Sequence, residues 1–174
     1  MINTFHKTPT LKKISKNRSI AEYISGYVDG EGCFSVSFTK RQRFKVGWET
    51  KPSFSVSQNH DRAEVLYLMQ NYFGGIGFMR RDMSDQTLKY EVRRLDDLLE
   101  KIIPHFESYP LMSSKHKDFL LFKNICVLMK INKHKTLIGL KTIVDTAFKM
   151  NTSGRRKYKK QDIFDFSKNL QMKV

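Results

Sequence analysis

Nine consecutive residues, Ile24-Ser25-Gly26-Tyr27-Val28-Asp29-Gly30-Glu31-Gly32, hold the types and spacings most able to do chemistry. Asp29 and Glu31 fall in or just past the last turn of a helix, where the backbone dipole is negative. Each carboxylate is disfavoured there by about 0.3–1 kcal/mol. A divalent cation would reverse that sign, because a carboxylate and free C-terminal carbonyls are hard oxygen ligands suited to Mg2+, which also keeps several waters. Such an ion activates water and stabilises a leaving oxygen in phosphodiester cleavage. The residues leave a second reading open: Asp-Gly-Glu-Gly is also ordinary turn composition, and charged helix ends are commonly solvated. Gly26 and Gly30, four apart, share one helical face and let another backbone come close, so two helices are expected to pair there.

The elements that must position these residues follow from periodicity. Ser19 can cap a helix whose apolar positions Ile20, Ile24, Tyr27 and Val28 recur every three or four residues up to the Gly30-Glu31-Gly32 break. Phe34, Val36 and Phe38 then alternate with Ser35, Ser37 and Thr39, the period of a half-buried strand. A basic turn leads to a second alternating run with Phe54 and Val56 on one face and Ser53, Ser55 and Ser57 on the other. Asp61 and Glu64 form a capping pair before a second helix that Gly74-Gly75 stops. Gly77 to Asp82 and Thr87 to Arg94 make another strand pair, and the remainder is helical, with Pro104 expected to bend or end its helix.

The chain has 174 residues, with 32 Lys and Arg against 17 Asp and Glu, a net charge of +15 and 40% hydrophobic residues. That is enough apolar chain for a folded domain rather than a disordered basic tail. No apolar run reaches the roughly 18 residues that span a bilayer, so no membrane partner is expected. Cys33 and Cys126 have no second ligand at zinc spacing, which disfavours a zinc finger or disulfide scaffold. The charge surplus calls for an anionic partner, and nucleic acid is the commonest. Residues 1–18 read as a basic tail or transit peptide, residues 19–150 as the main domain, and residues 151–174 as a basic connector with a short C-terminal helix. Lys in excess of Arg, with many Ile, Asn, Phe and Tyr, suggests an AT-rich gene of an organellar intron.

Ile24 to Gly32 resembles the LAGLIDADG motif of homing endonucleases, with Ser25 at its first Ala, Gly30 at its second Ala and Glu31 at its second Asp. The resemblance covers roughly Ser19 to Met150. It implies an α+β fold, an αββαββα core with a saddle-shaped antiparallel sheet, followed by C-terminal helices. One motif implies a homodimer, with Ser25, Gly26, Asp29 and Gly30 at the helix pair between protomers. Glu31 matches the metal-binding acid, and Gly30 the position whose carbonyl adds a ligand to Mg2+, with Mn2+ or Ca2+ as substitutes. Gln58 resembles the strand-end residue that positions water, Arg62 a basic residue near the cleaved backbone, and Lys115 the active-site lysine after a Pro-Leu segment. The family activity is cutting both strands of a long, pseudo-palindromic duplex.

A twisted antiparallel ribbon fits the major groove. Its polar face would carry Ser35, Ser37 and Thr39, then Lys51, Ser53, Ser55 and Ser57, then Lys89, Glu91 and Arg93. Arg80, Arg93 and Glu91 are candidate base readers. Lys40, Arg41, Arg43 and Lys45 in the first turn, and Arg155 and Arg156 in the connector, are candidate phosphate contacts. Two other classes fit the same charge: an intron maturase or non-cleaving nucleic-acid binder on this scaffold, with RNA as partner, and an unrelated basic ribosome-associated domain, which would be monomeric.

Overall fold

The computed structural model describes residues 19–82, 86–152 and 154–171. The basic start, residues 1–18, lies outside them. The first helix, α1 (Ile20–Glu31), is capped by the Ser19 hydroxyl, which accepts from the Glu22 N–H. It runs straight into β1 (Gly32–Lys40), followed by β2 (Trp48–Asn59), α2 (Glu64–Tyr72), β3 (Phe78–Asp82) and β4 (Thr87–Val92). The four strands form one antiparallel sheet in the order β1-β2-β4-β3. A short α3 (Leu95–Asp97), a π-helical stretch (Leu98–Ile102) and α4 (Ile103–Ser108) come next, then α5 (Lys115–Lys130), α6 (Leu137–Ala147) and α7 (Lys160–Gln171).

One sheet face carries the core. Phe34 sits 5.3 Å from Phe54 and 5.4 Å from each of Phe106, Phe119 and Phe122, measured between ring centroids, so β1, β2, α4 and α5 meet on a single aromatic cluster. Burying such rings is the main source of stability in a domain this size. The opposite face carries the hydroxyls and charges.

Two local expectations are revised, and a glycine gains a packing role. Asp61 does not cap α2: it lies in a 3₁₀ turn, His60–Arg62, and the N-cap of α2 is Ala63, with no side-chain cap. Pro104 neither ends nor breaks its helix, because the preceding turns widen to π geometry and give the ring room against the carbonyl four residues earlier. Gly139 is more than a weak helix residue, since an added Cβ would lie 2.1 Å from the Lys133 carbonyl oxygen. The terminal helix α7 packs on the first strand turn. Trp48 Nε1 donates to the Ile163 carbonyl at 3.1 Å and Ser167 Oγ to the Val46 carbonyl at 2.8 Å.

Candidate active site

The C-terminal end of α1 is where the chemistry-bearing residues converge. α1 turns its inner side to its own chain. Ser25 is buried, donating to the Tyr109 carbonyl at 2.7 Å and lying 3.2 Å from His105 Nε2. His105 is held on its other nitrogen by Tyr72 Oη at 3.2 Å, and burial pulls its pKa down to about 4. Asp29 accepts from the backbone N–H of Met112 at 2.8 Å, from that of Ser113 at 3.0 Å and from the Ser113 hydroxyl at 2.5 Å. Partial burial opposes its charge, but these bonds and the Lys115 ammonium outweigh it and hold the carboxyl below the usual range.

The partners of Ser25 and Asp29 thus lie within the same chain. Both are used up inside the chain, and Asp29 has its own reason to stand at the negative end of a helix: it anchors the loop that leads into α5. The outer side of α1 is different. Gly26 and Gly30 are exposed, and a Cβ added to either would meet no atom within 4 Å. Tyr23, on the same side, is 52% exposed.

Glu31 ends the helix exposed, with no hydrogen bond or ion pair among the described residues. Lys115 reaches across to it from α5. Its ammonium donates to the Val28 carbonyl at 2.8 Å and the Gly30 carbonyl at 3.2 Å, capping the last turn of α1. Burial lowers the Lys115 pKa, countered by the charges of Cys33, Asp29, Glu31 and Asp118. Gln58, at the end of β2, donates from Nε2 to Tyr27 Oη at 2.5 Å and accepts the Asn59 N–H at 2.7 Å through Oε1. Tyr27 enters the helical periodicity only as an apolar position, so its hydroxyl contact is invisible there. Burial raises the Tyr27 pKa, the Gln58 bond opposes the shift and the Glu31 charge adds to it. Arg62 projects from the turn after β2, exposed, with Asp61 3.8 Å away.

The Glu31 carboxylate and Gly30 carbonyl are hard oxygen donors at one helix end, the donor set a hydrated divalent ion accepts. No group of three or more His, Cys, Asp or Glu suited to a metal exists among the described residues.

On the polar sheet face the register aligns Ser35 with Ser53, Ser37 with Lys51 and Thr39 with Glu49. Ser55 pairs with Glu91, Ser57 with Lys89, and Arg80 with Lys89. Ser53 and Ser55 are shaded on the central strand. Glu91 is corrected as a base reader: it is buried, accepts the Ser53 hydroxyl at 2.6 Å and has Arg93 at 2.9 Å. Burial works against its charge, but the hydroxyl and guanidinium keep its pKa low. Arg93, also stacked over Phe78 at 5.6 Å, is committed to that pair, whereas Arg80 stands exposed.

Two phosphate candidates are also reassigned. Strand alternation puts Lys40 on the side of Phe38, and its ammonium lies over Trp48, Tyr158 and Phe166 at 5.8, 5.7 and 4.8 Å. Arg156 donates to the Ala147 and Met150 carbonyls, the latter at 2.9 Å, and so caps the end of α6. Arg41 and Lys51 share Glu49 at 3.0 and 3.2 Å, an exposed arrangement that leaves both charges available. Arg43, Lys45 and Arg155 are exposed.

This geometry coincides with sequence similarity. A family model described as LAGLIDADG endonuclease matches residues 24–126, more than half of the chain. The chain belongs to the LAGLIDADG endonuclease family. The probable intron-encoded endonuclease 2 of Neurospora crassa is 39% identical over 129 residues, covering 74% of this chain and 28% of that protein. The chain spans 24–28% of the length of three relatives, two from Neurospora crassa and one, a protein in ND4 intron 1, from Podospora anserina. Among solved LAGLIDADG-like structures, the archaeal intron-encoded homing endonuclease I-Vdi141I complexed with DNA superposes with a TM-score of 0.80 at 27% identity, covering 87% of this chain and 96% of that one. I-SmaMI bound to uncleaved DNA target with calcium ions gives 0.78 at 30% identity, covering 85% of this chain but 49% of that one. This LAGLIDADG chain therefore matches nearly all of one neighbour and about half of another.

Proposed function

We propose that two copies of this chain pair through the open face of α1 and act as a divalent-metal-dependent, site-specific DNA endonuclease on a long, partly palindromic duplex. The observation that carries this reading is the outer side of α1: two exposed glycines with nothing within 4 Å of an added Cβ, ending at a carboxylate without a partner among the described residues. Pairing that face with its copy brings two Glu31 side chains together at the pair's end, a symmetric arrangement in which each protomer serves one strand.

Glu31 and the Gly30 carbonyl are the residues that would hold Mg2+, with Mn2+ or Ca2+ able to take its place. A divalent ion bound there supplies charge neutralisation at the phosphate and a more acidic water. Lys115 keeps the Gly30 carbonyl in place and adds a positive charge beside the cleaved backbone. Gln58 orients water through its amide, and Arg62 meets the backbone phosphate. The sheet enters the major groove with Ser35, Ser37, Thr39, Lys51, Ser57, Arg80 and Lys89 facing bases and phosphates, while Arg41, Arg43, Lys45 and Arg155 hold the flanking backbone. Relatives and neighbours named as intron-encoded endonucleases, one of them solved with DNA, support this reading and an organellar intron as the source.

The test is a cleavage screen of the full chain over a randomised duplex library with Mg2+. Recovery of a partly palindromic site cut on both strands is the expected result. Absence of any cut duplex, with the chain monomeric, contradicts it.

A further inference from the structure

Gln58 is the residue assigned to water, yet a glutamine amide at a half-buried strand end can rotate and exchange its two ends unless it is held. Something must fix it. The backbone N–H of Asn59 can only donate, so the Gln58 atom 2.7 Å from it is Oε1. The group 2.5 Å from Tyr27 Oη is then the amide NH2, and the phenol oxygen accepts. Both ends of the amide are therefore held, one by its own strand and one by α1. One Nε2–H and one Oε1 lone pair remain for water. The phenol's own proton also remains unspent, and Tyr27 lies one helical turn before Glu31, on the same side of α1.

We propose that Tyr27 is the positioning residue of the active site: its hydroxyl locks the Gln58 amide in one orientation and one plane, so that a water meets the same donor and acceptor at every encounter. This rests on the endonuclease reading above and deepens it. The bond also links the two elements whose relative placement matters most, the acid-bearing helix and the strand end that carries Gln58. Because α1 also carries the open glycine face, a shift of that helix on pairing would be transmitted to Gln58 through this hydroxyl. Tyr27 touches neither DNA nor metal in this role, and the reacting atoms see it only through the amide.

Tyr27→Phe removes the hydroxyl and keeps the ring, including its tilted contact with Tyr23, whose centroid is 6.2 Å away. Cleavage of the duplex recovered from the randomised library is compared for Tyr27→Phe, Gln58→Ala and the double variant, with duplex binding and sedimentation alongside. The expected loss in kcat for Tyr27→Phe is about 3- to 10-fold, with KM, binding and association unchanged. The double variant should cut no more slowly than Gln58→Ala alone, since the hydroxyl acts only through that amide. In the free protein, the Gln58 side-chain amide resonances should lie away from the shifts of a solvated glutamine and return towards them in Tyr27→Phe. Losses that multiply in the double variant, or weakened association from Tyr27→Phe, overturn the proposal and make Tyr27 a packing residue. Full kcat in Tyr27→Phe beside a slow Gln58→Ala overturns it as well, while leaving the endonuclease assignment standing. Full cutting by Gln58→Ala removes both the proposal and the water-positioning role of Gln58.

Discussion

On the inward side of α1, Ser25 and Asp29 find partners within the chain; on the outward side, a Cβ added to Gly26 or Gly30 meets nothing within 4 Å and Glu31 makes no hydrogen bond or ion pair among the described residues. Both sides belong to the same twelve-residue helix and sit within one turn of each other at its foot. Adjacent carboxylates have opposite fates. Asp29 is satisfied by three donor groups and does structural work, whereas Glu31 is exposed and makes no hydrogen bond or ion pair among the described residues. That difference is what the proposed pairing of two copies through the open face of α1 rests on.

The inward side should break by loss of stability. Asp29→Ala leaves the Met112 and Ser113 donors without their anion and frees the loop before α5, so unfolding free energy in urea should fall by about 3 kcal/mol, near the upper end for charged hydrogen bonds. Acid should expose the same side. His105 is neutral in the fold with a pKa lowered to about 4, against 6.5 when unfolded, so its contribution is complete above pH 6.5 and is lost as pH falls towards 4. Chemical denaturation across that window should show a slope approaching about 1.4 kcal/mol per pH unit, flattened in His105→Gln.

The outward side should break without loss of stability. A Cβ added at Gly26 meets no atom within 4 Å in the protomer, so in Gly26→Ala the midpoint of unfolding should not fall, while self-association measured by sedimentation weakens about tenfold or more from overpacking at the helix pair. The smallest expected effect lies far from α1. Arg155→Ala should lower the slope of log binding constant against log salt by about 0.9, without changing which duplex is preferred.

The contrast between the two sides also explains what could be read from the chain alone. Apolar alternation in β1 and β2 and the three- and four-residue spacing of Ile20, Ile24 and Val28 are local, and they sufficed for the order of elements. The motif that holds Glu31, Gly26 and Gly30 is local too, a run of consecutive residues. The intrachain partners of Ser25 and Asp29, namely Tyr109, Met112 and Ser113, could not be read there, because they lie more than eighty residues away. Local periodicity carries no record of such contacts. Lys40, Arg156 and Glu91 failed alike: each looked like a free charge on a strand, a connector or a sheet face, and each is spent on rings, carbonyls or a hydroxyl that only the folded chain brings near. The resemblance helped most where the family's chemistry is exposed and least where this chain's packing decides.

Glu31→Gln tests the central claim most directly, because it removes the charge at the foot of α1 while preserving shape and breaks no hydrogen bond among the described residues. With the duplex recovered from the library and Mg2+ present, double-strand cutting should be abolished, while folding, self-association and duplex binding persist. Cutting by Glu31→Gln at the rate of the unaltered chain would contradict the account.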